Sequence, residues 1–153
     1  FICLGNICRS PTAHGIFEKI VRQRKLENAI HVDSCGTGDW HIGHPPDTRA
    51  TLAAKSRGID LTALRARQVE SNDFENFDYL MAMDSQNLAD LEPLKPANFN
   101  GDLDLFLRFT GVEQVHDVPD PYFGGEEGFH EVFDLIEQAS EALLNIIKRK
   151  HGL

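Results

Sequence analysis

Short apolar runs separated by stretches of three- and four-residue apolar spacing extend along the whole chain, an alternation that predicts strands interleaved with helices. Phe1 and Ile2 read as the end of a buried strand. Phe1-Ile2-Cys3 is shorter than a typical strand of ~5–6 residues, so the sequence reads as starting partway through its first strand. Ala13, Ile16, Phe17, Ile20 and Val21 mark one face of a helix, with Ser10 predicted as N-cap, Pro11 as first residue and an end near Leu26. Residues 29–34 predict a second strand, and the Gly- and Pro-rich residues 36–46 an irregular loop. A helix over residues 47–57, stopped by Gly58, and a short helical turn from Ser71 and Asp73 come next. Residues 78–83 predict a third strand, and Asp84 the cap of a helix through Leu91. Val115-His116-Asp117-Val118 predicts a fourth, short strand. The stripe Phe129, Val132, Phe133, Ile136, Ala139, Leu143, Ile146 and Ile147 predicts a long last helix, with Lys148, Arg149 and Lys150 at the negative end of its dipole.

This order implies an α/β protein: one domain spanning residues 1–153, a four-stranded parallel sheet flanked by helices on both faces, in the manner of a flavodoxin-like or Rossmann-like three-layer sandwich. In such sheets ligands bind beyond the carboxyl ends of the strands, which puts Cys3, Ser34, Met83 and Asp117 on one rim. Composition adds exclusions. With 41% hydrophobic residues and no long apolar run, both disorder and membrane insertion are excluded. Three cysteines cannot all pair within one molecule and no signal-peptide pattern opens the chain, which predicts a reducing, cytoplasmic setting. The net charge of -9 is uneven, since residues 1–76 carry 10 basic and 9 acidic side chains and residues 77–153 carry 5 and 15. Such a protein repels nucleic-acid backbones, so any phosphate it handles is bound locally.

The local feature that fits is Cys3-Leu4-Gly5-Asn6-Ile7-Cys8-Arg9-Ser10-Pro11, a cysteine six positions before an arginine, between strand and helix. A loop closing onto a helix N-terminus turns backbone N–H groups toward one point, and the helix dipole adds partial positive charge there. Arg9 contributes a planar fork for two phosphate oxygens, Gly5 permits close approach and Asn6 tolerates a left-handed backbone. The same donors stabilise a thiolate at Cys3, making it a nucleophile toward phosphorus. An inert Cys3 with Arg9 in a surface ion pair would leave the arrangement unexplained. Cleavage of a phosphate ester also needs a proton for the leaving oxygen. Val118-Pro119-Asp120-Pro121-Tyr122 offers it, because prolines on both sides restrict the backbone and hold the Asp120 carboxyl in place.

At these residues the chain resembles the low-molecular-weight protein tyrosine phosphatases, over nearly its whole length. Cys3 through Pro11 has the form of that family's phosphate loop, Asp33-Ser34-Cys35-Gly36-Thr37 resembles its Asp-Ser-Ala-Gly-Thr segment, and Ala66-Arg67-Gln68 and Phe77-Asp78 resemble its middle. Val118 through Tyr122 resembles its acid loop. The resemblance implies Cys3 as nucleophile, Arg9 and the loop amides as phosphate binders, Asp120 as general acid and then base, and Ser10 as hydrogen-bond donor to the Cys3 sulfur. Asn6 and Ser34 would hold the loop's shape. It implies no cofactor and no metal, phosphotyrosine-containing proteins as substrates, and phosphate, vanadate or sulfate-like oxyanions as ligands of the site.

Leu4, Ile7, Trp40, Tyr122 and Phe123 are the expected walls of an apolar slot suited to a phenyl ring. Related phosphatases that prefer phosphoarginine carry Thr where this chain has Ile7, so Ile7 favours phosphotyrosine. The resemblance also implies a reversible Cys3–Cys8 disulfide protecting the nucleophile; the competing reading of Cys8 is a small packed residue. Cys35 departs from the family's usual Ala, and Phe123 replaces a frequent Tyr. Arsenate reductases share the fold but need a late cysteine pair, and nothing after Cys35 is Cys. A silent phosphoprotein-binding module would need neither Cys3 nor Asp120. His41 and His44 read as solvated loop histidines.

Overall fold

The computed structural model describes residues 1–112 and 116–153. Four parallel strands form one sheet in the order β2-β1-β3-β4: β1 Ile2–Cys3, β2 Cys35–Gly36, β3 Tyr79–Ala82 and β4 Asp102–Leu105. Among the described residues six α-helices complete it: α1 Arg9–Gln23, α2 Thr48–Lys55, α3 Asp73–Asn76, α4 Ser85–Leu91, α5 Phe106–Thr110 and α6 Glu126–His151. Alternate strand residues serve opposite faces, as the two-residue period of a pleated strand requires. Cys3 and Met81 face a core shared with α1, α5 and α6, including Ile16, Phe17, Phe106, Phe133 and Ile136. Ile2, Leu80 and Ala82 face a second core with Phe74 and Leu91 from α3 and α4. Helices therefore cover both faces of the sheet, as the sequence predicts. Among the described residues, no helix is long and apolar enough to cross a membrane.

The fourth strand lies elsewhere than predicted. Val115 is outside the described residues, and His116, Asp117 and Val118 belong to no strand. The fourth strand is Asp102–Leu105, an edge strand whose Asp102 and Asp104 hide it from a β-propensity reading while discouraging edge-to-edge association. Val118 N nonetheless donates to Met83 O at 2.7 Å, which holds that backbone beside the end of β3. Residues 29–34 are not strand either, because β1 offers ladder partners only at Cys35 and Gly36.

Helix α1 begins at Arg9 with Cys8 as its cap, so Ser10 is inside the helix and is not the N-cap. Its hydroxyl instead lies 3.0 Å from the sulfur of Cys3 and within hydrogen-bond distance of Cys35 O at 3.3 Å. Pro11 is tolerated because the first helical N–H groups have no intrahelical partner. The helix stops at Gln23 rather than near Leu26, because Lys25 turns left-handed (φ 57°) without any glycine to announce it. Asp84 caps α4 as predicted, forming a full capping box with Asn87, while Asp47, predicted as the first residue of its helix, is the N-cap of α2.

Candidate active site

The loop from Cys3 to Cys8 wraps the N-terminus of α1 at the carboxyl end of β1. Its closure depends on two special backbones. Asn6 adopts φ 55°, and a Cβ on Gly36 would come within 2.7 Å of Leu4 O, so only glycine lets the neighbouring strand approach. The Cys3 sulfur receives the Asn6 backbone N–H at 3.3 Å and sits 3.0 Å from Ser10 Oγ. Asn6 Nδ2 in turn donates to Ser10 Oγ at 2.8 Å, and Asn6 Oδ1 accepts from Arg67 N at 3.1 Å. Both ends of the Asn6 amide are thereby used to fix the loop.

Arg9 is 3% exposed, yet it keeps its charge because it is surrounded by acceptors. Nη1 donates to Asp84 Oδ2 at 2.5 Å and to Val118 O at 3.1 Å, and Nη2 lies 3.6 Å from Asp120 Oδ2. Burial opposes the charge, but Cys3, Asp84 and Asp120 outweigh it and hold the guanidinium above its ordinary pKa. The Cys3 loop, Arg9 and the proline-flanked Asp120 carboxyl thus meet at one point. Asp120 is partly open to solvent, and its Oδ1 accepts from Tyr122 N at 3.0 Å.

A cleft of about 220 Å³ opens over Cys3, lined by Leu4, Ile7, Trp40, Asp120, Tyr122 and Phe123 among others. Trp40 and Phe123 are 67% and 92% exposed, so they rim the mouth, whereas the thiol is buried at the floor. The volume is below the ~300–1,000 Å³ usual for drug-sized ligands and suits a single ring. A larger cavity of about 320 Å³ lies at the amino ends of the strands, against Phe1, Val32, Phe77 and Tyr79. It has Cys3 and Asp120 nowhere in its walls, and ligands of open parallel sheets bind at the other end.

Most sequence-predicted residues converge here: Cys3, Leu4, Gly5, Ile7, Cys8, Trp40, Asp120, Tyr122 and Phe123 around the cleft, with Asn6, Arg9 and Ser10 behind it. Among the described residues, Ser34 makes no hydrogen bond to the loop. Its Oγ pairs with His14 Nδ1 at 3.0 Å, supporting α1 rather than the loop directly. Cys3, Cys8 and Cys35 are free thiols, and Cys8 packs with Ala50, Ala53 and Phe129. Burial pushes the Cys8 thiol well above its ordinary range and that of Cys35 up to about 12. His41, read from sequence as solvated, lines the cleft with its ring against Gly5. Asp84 was visible only as a helix cap, and its pairing with Arg9 across 75 positions left no sequence signal.

Residues 1–152 match the family described as low molecular weight phosphotyrosine protein phosphatase. The chain belongs to that family. It is 39% identical over 153 residues to the low molecular weight protein-tyrosine-phosphatase YfkJ of Bacillus subtilis, covering 100% of this chain and 97% of that one. A protein tyrosine phosphatase from Entamoeba histolytica, solved with Hepes in the active site, superposes with a TM-score of 0.89 at 40% identity, covering 99% of this chain and 96% of the other. A Drosophila arginine phosphatase superposes with a TM-score of 0.90 at 32% identity, covering 97% and 96%. The family match spans residues 1–152 and includes the cysteine loop at the carboxyl end of β1.

Proposed function

We propose that this phosphatase hydrolyses phosphotyrosine in proteins, and small aryl phosphates, through a cysteinyl-phosphate intermediate. The observation that carries the reading is the Cys3 sulfur held by the Asn6 amide and Ser10 hydroxyl, with the Arg9 guanidinium reaching 3.6 Å from Asp120. A phosphoryl group seated over the sulfur takes the place that Arg9 and the helix N-terminus offer to an anion.

Cys3 attacks phosphorus in line; the S–P bond forms as the bond to the phenolic oxygen breaks, and Asp120 gives its proton to that oxygen. The Asp120 carboxylate then takes a proton from water, whose oxygen attacks phosphorus. The S–P bond breaks, releasing inorganic phosphate and the thiolate. Ser10, donating to the sulfur, favours it as attacker and again as leaving group. Arg9 neutralises the equatorial oxygens in both steps.

The depth of the slot supports an aryl substrate. With the thiol buried and Trp40, Tyr122 and Phe123 rising around it, a short phosphoserine does not reach the floor, whereas a phenyl ring spans the distance. Likeness to an arginine phosphatase makes phosphoarginine the second reading. Ile7 counts against it, because an apolar side chain in the cleft gives a guanidinium no acceptor. Cys8 enters as the partner of a reversible disulfide: a Cys3 sulfenic acid, formed by peroxide, condenses with the Cys8 thiol and releases water.

The test is vanadate-sensitive hydrolysis of an aryl phosphate measured beside phosphoarginine, phosphoserine and thiol-dependent arsenate reduction. Cys3→Ser is expected to abolish turnover, and Asp120→Ala to slow it by about 10²–10⁴-fold. Substantial hydrolysis by Cys3→Ser, or preference for one of the other substrates, would refute the reading.

A further inference from the structure

We infer that Arg49 is a positioning residue that holds the acid loop over the nucleophile. It lies in the first turn of α2, and its guanidinium reaches across to the backbone that follows Asp120. Nη2 donates to Tyr122 O at 2.8 Å and Nη1 to Gly124 O at 3.1 Å. The other edge is anchored: Nε donates to Asp47 Oδ1 at 3.2 Å, and Nη2 lies 3.2 Å from Asp47 Oδ2. The guanidinium also lies over the rings of Phe129 and Tyr122, at 4.6 and 5.6 Å from their centroids.

Asp47 is itself fastened to the nucleophile loop, since its backbone N donates to Ile7 O at 2.8 Å. A continuous path of hydrogen bonds therefore runs from Ile7 through Asp47 and Arg49 to Tyr122 and Gly124. The acid loop needs such an anchor. Before Asp120 the loop is tied to the body by Val118 N donating to Met83 O and Arg9 Nη1 donating to Val118 O, whereas after it the bonds Tyr122 N to Asp120 Oδ1 and Gly124 N to Pro121 O are internal to the turn and do not fix it to the body. General acid transfer demands hydrogen-bond reach, and a displacement of ~1 Å costs on the order of 10²-fold. Two carbonyls gripped by one planar fork fix both position and tilt of the turn, which a lysine ammonium cannot reproduce.

This inference rests on Asp120 being the proton donor proposed above, and the experiment separates the two. kcat/KM is measured for aryl phosphates whose phenols range from strongly to weakly acidic, in wild type, Arg49→Met, Arg49→Lys, Asp120→Ala and Arg49→Met combined with Asp120→Ala. Methionine keeps apolar bulk against Phe129 but donates nothing. Arg49→Met is expected to lose about 10–100-fold on weakly acidic phenols and less than about threefold on the most acidic, which leave unaided. Arg49→Lys follows the same pattern with a smaller loss. In the Asp120→Ala background the Met substitution changes kcat/KM by less than about twofold, since neighbours acting through one group are not additive. An equal loss for every leaving group, or full additivity with Asp120→Ala, overturns the inference. A leaving-group-dependent loss in Asp120→Ala with none in the Arg49 variants overturns it alone, while no such loss in Asp120→Ala removes the general-acid reading as well.

Discussion

Asn6 carries three demands at once: a left-handed backbone, a donor for Ser10 and an acceptor for Arg67. Asn6→Ala keeps the strained φ and loses both hydrogen bonds, so a destabilisation of about 2–4 kcal/mol is expected. Urea unfolding checks it. Because Ser10 then loses the donor that orients it, kcat/KM falls as well. Asp84→Ala leaves the buried Arg9 without its close counter-ion, at an expected cost of about 3–5 kcal/mol. Asp84→Asn keeps a single acceptor oxygen, enough for either Arg9 or the Asn87 backbone N–H, so the same unfolding measurement is expected to give a smaller loss than Asp84→Ala. Equal destabilisation by the two substitutions would show that the lost charge, and not the acceptor that Asn retains, sets the cost.

Helix α1 links stability to pH through His14. Burial pushes the His14 imidazole below its ordinary pKa, against a smaller opposing pull from Glu18, and its Nδ1 faces Ser34 Oγ. The unfolded chain then binds a proton that the folded protein refuses, so stability declines as pH falls below the ordinary imidazole value of ~6.5 and is unaffected above it. Thermal melts on either side of that value are expected to show the decline in wild type and a shallower one in His14→Gln. An unchanged slope in the variant would count against the assignment. The other elements around the site act through their ends: Asp47 starts α2 beside Ile7, and Asp84 starts α4 beside Arg9. Each cap therefore serves both a helix and the loop.

Across the molecule, the large core on the α1 and α6 side carries the packing, with Phe133 almost wholly buried in it beneath Arg57. Phe133→Ala is expected to cost about 3–5 kcal/mol while leaving KM for an aryl phosphate unchanged below the melting temperature, since Phe133 does not line the cleft. Calorimetry and steady-state kinetics check the two halves of that expectation. The cysteine loop was legible from sequence because its pattern is local: Cys3, Asn6, Arg9 and Ser10 lie within eight consecutive positions, where spacing alone defines a loop meeting a helix. Helices with long apolar stripes, α1 and α6, were legible for the same reason. Asp102–Leu105 was not, because a short edge strand bearing two aspartates is identified by its ladder with β3 and by nothing in its own pattern. The same holds for the partners of Arg9 and of the acid loop. Asp84 and Asp120 reach Arg9, and Arg49 reaches Tyr122, only once parallel strands have stacked their carboxyl ends side by side. Residue types and spacing were enough to say which groups could do the chemistry. Which ones stand within hydrogen-bond distance depended on the folded chain, since electrostatic and hydrogen-bond energies fall steeply with separation in space and are indifferent to separation in sequence.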